Sequence, residues 1–333
     1  MKLKAGIIGL GVGEQHIAGY NAHPQCEVTR VCDLSDQKLE EVLAKYPRLK
    51  VTRDAREILE DPEIDVVSIA SFDDAHYEQA VQAIKNGKHA FIEKPLCLYE
   101  DQAQSIRALL KTKPELKISS NLILRLSPRF QRLKQRIEQG EFGKLFSVEA
   151  DYLYGRLEKI TQNWRGQLDF YSVIYGGGVH VLDLLLWLTQ DTVDEVMAYG
   201  NQIASQGTQF KYNDCVLAAL RFKSGLVGKV SANFGCVHPH FHPVNIYGTK
   251  ATFKNEVDGG KIFHSSNPQE RPEVMPEAYP GVPKGALLYG FVESILKGSA
   301  AQVSADDVFK TMAVCFAIEK SMTQQKPVKV QYF

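Results

Sequence analysis

Short apolar runs alternate with segments of helical periodicity from the first residues to Ser120, and that alternation restricts the chain more than any other feature. Ala5 to Leu10, Glu27 to Cys32, Lys50 with Val51, Asp65 to Ala70, His89 to Ile92 and Lys117 to Ser120 read as strands. Glu14 to Ala22, Ser35 to Tyr46, Asp54 to Asp61, Tyr77 to Asn86 and Glu100 to Thr112 read as helices, with Gly87 as a stop. Strands and helices in that order fold as a doubly wound α/β domain around a parallel sheet.

The first strand runs into Gly9-Leu10-Gly11-Val12-Gly13, a tight turn before a helix whose free N–H groups can hold a pyrophosphate. In the GxGxxG spacing the last glycine falls on Glu14, and the chain supplies Gly13 instead, so the glutamate must point away from the phosphates. Asp33 closes the second strand 24 residues after Gly9, where an acid accepts hydrogen bonds from the adenosine ribose. Its charge repels a 2′-phosphate and no arginine follows at once, which favours NAD over NADP; Ser35 and Lys38 are the argument for NADP.

A second signal follows the strand His89 to Ile92: Glu93-Lys94-Pro95. Ligands of open α/β sheets collect outside the carboxyl ends of the strands, so an ammonium on Lys94 faces the crevice. Pro95 keeps Lys94 extended and makes a cis bond accessible.

At 333 residues the length suits two domains, here 1–120 for the dinucleotide and 121–333 for substrate and assembly. The 39 basic and 39 acidic residues cancel, which gives nucleic acid or an anionic membrane no field to follow. Val181 to Leu188 is the most apolar stretch, contains Asp183 and is too short to span a bilayer. The six cysteines lack CxxC spacing, and the first residues lack the h-region of a signal peptide; both point to the cytoplasm and free thiols.

The second half reads as a helix from Arg129 to Gly140, an alternating strand from Gly143 to Tyr154, and strands at Val193 to Ala204, Asp214 to Phe222 and Leu226 to Gly235. Trp164 beside Arg165 suits a sugar face or a core contact with an ion pair. The helix starting near Gly178 is apolar all round yet carries His180 and, three residues on, Asp183, which must be satisfied by partners. Gly176, Gly177 and Gly178 before it admit close approach of a ligand or nicotinamide. His238, His240 and His242 alternate, but no carboxylate completes a metal set, so no metal is expected and the segment reads as a loop at a substrate or subunit boundary. Residues 265–285 read as a loop, Leu287 to Leu296 as a helix, and Ser304 with Asp307 as a capping box before a helix through Met322.

Gly9-Leu10-Gly11, Ser71-Phe72-Asp73-Asp74-Ala75-His76, Gly87-Lys88-His89 leading to Glu93-Lys94-Pro95, Gly176 to His180 and Asn245 to Phe253 together resemble the glucose-fructose oxidoreductase and inositol dehydrogenase (Gfo/Idh/MocA) family over nearly the whole chain. The resemblance implies a Rossmann domain followed by an α/β domain with a large open, mainly antiparallel sheet. It also implies homodimers or homotetramers built through that sheet, and hydride transfer between nicotinamide and a carbinol carbon of a sugar, cyclitol or nucleotide sugar. The family's lysine falls on Lys94 and its histidine on His180; the aspartate that many members carry four residues before the histidine is replaced by Gly176.

These readings place cofactor contacts at Gly9, Gly11, Val12, Gly13, Asp33, Ser71, Phe72, His76, Glu93 and Lys94. They place substrate contacts at Lys94, Asn121, Trp164, Arg165, His180 and Asp183, with Lys94 and His180 catalytic and Asp183, Tyr175, Tyr171 or Asp169 assisting His180. The alternative is a non-catalytic NAD(P)-binding sensor of the same fold, which would need neither Lys94 nor His180.

Overall fold

A computed structural model describes residues 2–333. The alternating stretch forms β1 (Leu3–Ile8), α1 (Glu14–Asn21), β2 (Cys26–Cys32), α2 (Asp36–Lys45), β3 (Lys50–Thr52), α3 (Arg56–Leu59), β4 (Val66–Ile69), α4 (His76–Lys85), β5 (His89–Ile92), α5 (Glu100–Lys111) and β6 (Ile118–Ser120). The six strands make one sheet in the order β3-β2-β1-β4-β5-β6, every pairing parallel. Helices cover both faces, so β4 buries each of its residues and shows no polar alternation. The order reverses between β1 and β4, which makes the carboxyl ends of those strands the ligand crevice.

The chain continues with α6 (Pro128–Glu138), β7 (Leu145–Leu153), α7 (Glu158–Thr161), a π-helical turn (Ile174–Gly178) and α8 (Val179–Thr189). Strands follow: β8 (Val193–Asn201), β9 (Cys215–Phe222), β10 (Val227–Asn233), β11 (Val244–Gly248), β12 (Thr252–Glu256) and β13 (Gly259–Phe263). Then come β14 (Glu273–Met275), α9 (Ala286–Lys297), α10 (Ala305–Gln324) and β15 (Val328–Lys329). A nine-stranded sheet runs β14-β13-β12-β11-β7-β10-β9-β8-β15, antiparallel except where β7 lies parallel to β10. Along β7 the buried positions are Val148, Ala150 and Tyr152, the face expected from the alternation.

Contacts divide the chain into two compact units: residues 1–123, 282–309 and 333, and residues 124–281 and 310–332. A boundary at 120 and 121 therefore misses one segment, because Val282–Phe309 packs with the first unit. Gly19 of α1 and Gly285 before α9 touch so closely that a β-carbon on Gly19 would lie 2.5 Å from the Gly285 carbonyl oxygen. His23 bonds to Glu293 at 2.7 Å, and Phe291 packs on Phe91 at 5.6 Å. No local pattern announces such a return.

The stretch read as a loop over 265–285 contains β14, a three-residue edge strand whose Val274 is exposed, too short to leave a periodic signal. The capping box is present: Ser304 Oγ accepts from the Asp307 amide at 3.2 Å, and the Asp307 carboxylate accepts from the Ser304 amide at 2.9 Å.

Candidate cofactor and catalytic site

At the carboxyl end of β1, Gly9 has φ +88°, and a β-carbon there would strike the Ala70 carbonyl oxygen at 2.2 Å. A β-carbon on Gly13 would meet the Gly9 carbonyl oxygen at 2.1 Å and Ile7 at 2.9 Å. Gly13 thus does the work of the third glycine, letting α1 close onto β1. Glu14 turns outward to Lys45 at 2.6 Å, away from the phosphate position. Asp33 accepts from the amides of Leu10 at 2.7 Å and Ser35 at 2.9 Å, which fixes the carboxylate against the glycine turn and leaves each oxygen a lone pair for a hydroxyl. The Lys38 ammonium comes within 3.6 Å of where a β-carbon of Gly11 would lie.

After β4, Ser71 is tied to Gln79 at 2.7 Å and Phe72 is 46% exposed, an aromatic face left open at the crevice. His76 is fully buried and bonds the carbonyls of Pro95 at 2.7 Å and Ser71 at 3.3 Å. It joins the two loops instead of facing the cofactor, a correction to its expected role. The Lys94–Pro95 bond is cis.

Beneath Lys94 lies a buried polar network. Glu93 accepts from Asn121 Nδ2 at 2.7 Å and pairs with His16 Nε2 at 3.2 Å, while the other His16 nitrogen bonds Ser68 Oγ at 2.7 Å. Burial pushes the Glu93 carboxyl up, but His16, the Lys94 charge and Asn121 outweigh it and hold it at about 2. Glu93 and Asn121 are 8% and 4% exposed.

In the second unit the π-helical turn leads straight into α8, with the Val179 amide donating to the Ile174 carbonyl five residues back. Ser172 Oγ accepts from the amides of Ile174 at 3.1 Å and Tyr175 at 3.3 Å, and its hydroxyl donates to Glu319. Burial raises the Glu319 carboxyl to about 7 against the lowering effect of that bond. His180 stacks on Tyr152 at 6.0 Å with an 18° interplanar angle. His240 and His242 meet the same tyrosine ring at 5.0 Å and 5.1 Å. Burial, and then the charges of His240 and His180, lower His242 well below the usual imidazole range.

The three glycines ahead of His180 do not open the backbone to a ligand. A β-carbon on Gly176 would meet Tyr171 Oη at 2.1 Å, one on Gly177 the Tyr152 ring at 2.4 Å, and one on Gly178 Ile174 at 3.0 Å. Aromatic and aliphatic side chains of the chain itself fill that space. Asp183 is fully buried and salt-bridged by Arg125 at 2.8 Å and 2.6 Å, with Thr311 at 3.3 Å, which leaves it no surface for the substrate contact expected of it. Arg125, 58 residues away, was invisible as its partner. Trp164 and Arg165 stack on each other at 4.4 Å and stay half-exposed.

Among the described residues one group has metal-ligand spacing, Glu141, His264 and Glu273. Arg136 pairs with both carboxylates, at 2.5 Å to Glu273, so both are already engaged by a cation of the chain itself.

A Rossmann sheet with a glycine turn, an acid fixed against that turn and a lysine following a strand end is the arrangement of a nicotinamide-dependent oxidoreductase. Residues 3–120 match the oxidoreductase family with the NAD-binding Rossmann fold, and residues 130–254 match the GFO/IDH/MocA C-terminal domain. The chain belongs to the Gfo/Idh/MocA family of oxidoreductases. It is 25% identical to a myo-inositol 2-dehydrogenase of Thermotoga maritima, with 99% of each chain covered. It is also 25% identical to an inositol 2-dehydrogenase/D-chiro-inositol 3-dehydrogenase of Lactiplantibacillus plantarum, over 67% of this chain and 63% of the relative. A levoglucosan dehydrogenase in complex with NADH and levoglucosan superposes with a TM-score of 0.88 at 22% identity over 100% of both chains. A scyllo-inositol dehydrogenase from Lactobacillus casei with bound NAD(H) and scyllo-inositol gives 0.83 at 19% identity, over 99% of both. Among the described residues no helix is long and apolar enough to cross a membrane.

Proposed function

We propose that this protein oxidises a ring hydroxyl of a cyclitol or sugar, or reduces the matching ketone, with NAD as cofactor. The observation that carries the reading is Lys94 at the carboxyl end of β5 above the buried Glu93, His16 and Asn121 network, beside a glycine turn built for a dinucleotide. Bound NAD supplies the hydride acceptor. Gly9, Gly11, Val12 and Gly13 hold its pyrophosphate, Asp33 its ribose, and Ser71 and Phe72 border it. Lys94 stabilises the alkoxide-like oxygen and His180 takes the hydroxyl proton, returning it in the reducing direction. Trp164 and Arg165 contact the ring.

The relatives' names, inositol and levoglucosan dehydrogenases, support the substrate class. The open face of the nine-stranded sheet, with Tyr199 and Leu217 exposed, supports a homodimer or homotetramer, and six free cysteines support a cytoplasmic setting. The test is NADH absorbance with myo-inositol, scyllo-inositol, levoglucosan and nucleotide sugars. At least one should give turnover that Lys94→Ala lowers by about a thousandfold while NAD affinity stays within a few fold. Silence across the panel with tight NAD binding would instead establish a cofactor sensor.

A further inference from the structure

We infer that the second unit carries a binding site for a small organic ammonium compound, separate from Lys94 and His180. Between the segment ahead of the π-helical turn, the β8–β9 connection and α10 lies a cavity of about 200 Å³, whose lining includes Phe170, Gln202, Lys211, Tyr212, Asn213 and Glu319. All of these belong to the second unit, and among the described residues neither Lys94 nor His180 lines the space. The volume is below the roughly 300–1,000 Å³ of pockets that take drug-sized ligands, which suits a molecule of a few non-hydrogen atoms and not a dinucleotide.

The hydrogen-bond donors around the cavity are already engaged. Ser172 Oγ donates to Glu319, and Tyr212 Oη to the carbonyls of Leu168 at 3.2 Å and Asp169. Gln202 and Asn213 turn their NH2 groups to the chain itself, the first to the Phe210 carbonyl and the second to the Met322 sulfur at 3.7 Å. The acceptors remain: the Glu319 carboxyl and the amide oxygens of Gln202 and Asn213. Such a lining takes a ligand that donates.

Glu319 has Ser172 as its hydrogen-bond partner and, among the described residues, no cation beside it. Burial raises its carboxyl to about 7, and a carboxyl in that state gains from any positive charge brought next to it. Phe170 and Tyr212, edge-on at 5.9 Å, supply an aromatic wall that favours a cation over a neutral hydroxyl. Beyond Glu319 the titratable lining groups are Tyr171, Tyr212 and Lys211. Lys211 is exposed and is the cation that a ligand's own carboxylate would meet.

Three probes that differ successively by one group test the site in the full chain at pH 8, above the Glu319 midpoint: ethylene glycol, ethanolamine and L-serine, followed by ligand-observed NMR and isothermal titration. Ethanolamine and L-serine should bind with a Kd of about 10 mM or tighter, and ethylene glycol about tenfold more weakly or worse. Glu319→Gln keeps the shape and removes the charge; it should weaken both amines about tenfold, while NAD affinity, the sign of an intact fold, stays within about twofold. Lys211→Met should weaken L-serine alone if the natural ligand is an amino acid, and neither probe if it is a simple amine; both results keep the ammonium at Glu319. No binding of either amine by the wild type, equal binding of ethylene glycol, or unchanged binding of both amines by Glu319→Gln would overturn the site.

Discussion

Next to Lys94 the polar groups at the carboxyl edge of the parallel sheet are tied to one another: Glu93 to His16 and Asn121, and His16 to Ser68. Tyr152 stacks on His180 and is itself packed by Phe234, His240 and His242, and the helix is anchored by the Arg125–Asp183 pair. Lys94 follows directly on a charged, hydrogen-bonded network, whereas His180 sits against a cluster of rings. Electrostatic support makes a site sensitive to acid; aromatic support makes it sensitive to lost volume and lost anchors.

The largest effect we expect is at the anchor. Arg125→Met leaves the Asp183 carboxylate buried without its bidentate partner, which should cost about 3–5 kcal/mol in urea unfolding. A loss below about 1 kcal/mol would mean that the pair does not anchor α8.

Next comes the network under Lys94. Glu93→Gln should cost about 1–3 kcal/mol at neutral pH by replacing a charge-assisted bond with neutral ones. Because the folded protein holds Glu93 at about 2, below its ordinary 4.5, its contribution is complete above 4.5 and is lost as pH falls through about 2. Acid unfolding profiles of wild type and variant should therefore converge over that window; parallel profiles would show that Glu93 is not the acid-sensitive element.

The smallest effect belongs to Glu319, under the turn that leads to His180. Its carboxyl is raised from 4.5 to about 7, so the folded state is disfavoured as pH rises from 4.5 through about 7. Partial exposure reduces the effect to about 1–2 kcal/mol. Glu319→Gln should flatten that part of the pH–stability curve, and an unaltered slope would exclude Glu319 as its source.

The same contrast explains what the sequence disclosed. The glycine turn, the acid and lysine at strand ends and the strand–helix alternation all follow from local spacing, and the capping box at Ser304 is likewise local. The Tyr171 contact at Gly176, the Arg125–Asp183 pair and the return of Val282–Phe309 to the first unit depend on residues that tertiary packing brings together. Residue types did carry a hint: an otherwise apolar helix holding His180 and Asp183 required polar partners, and only their identity was hidden. The three glycines misled because lack of a β-carbon signals close approach of something, and here the approaching groups belong to the chain.

We propose that Lys94 and His180 serve one chemical step. The direct measurement is kcat for Lys94→Ala, His180→Ala and the double variant, with NAD affinity measured alongside on a substrate from the panel. Each single variant should fall by about a thousandfold and the double variant by little more than the worse single, since groups that act as a unit are lost only once. Either single variant within tenfold of wild type, or losses that multiply in the double variant, would contradict it.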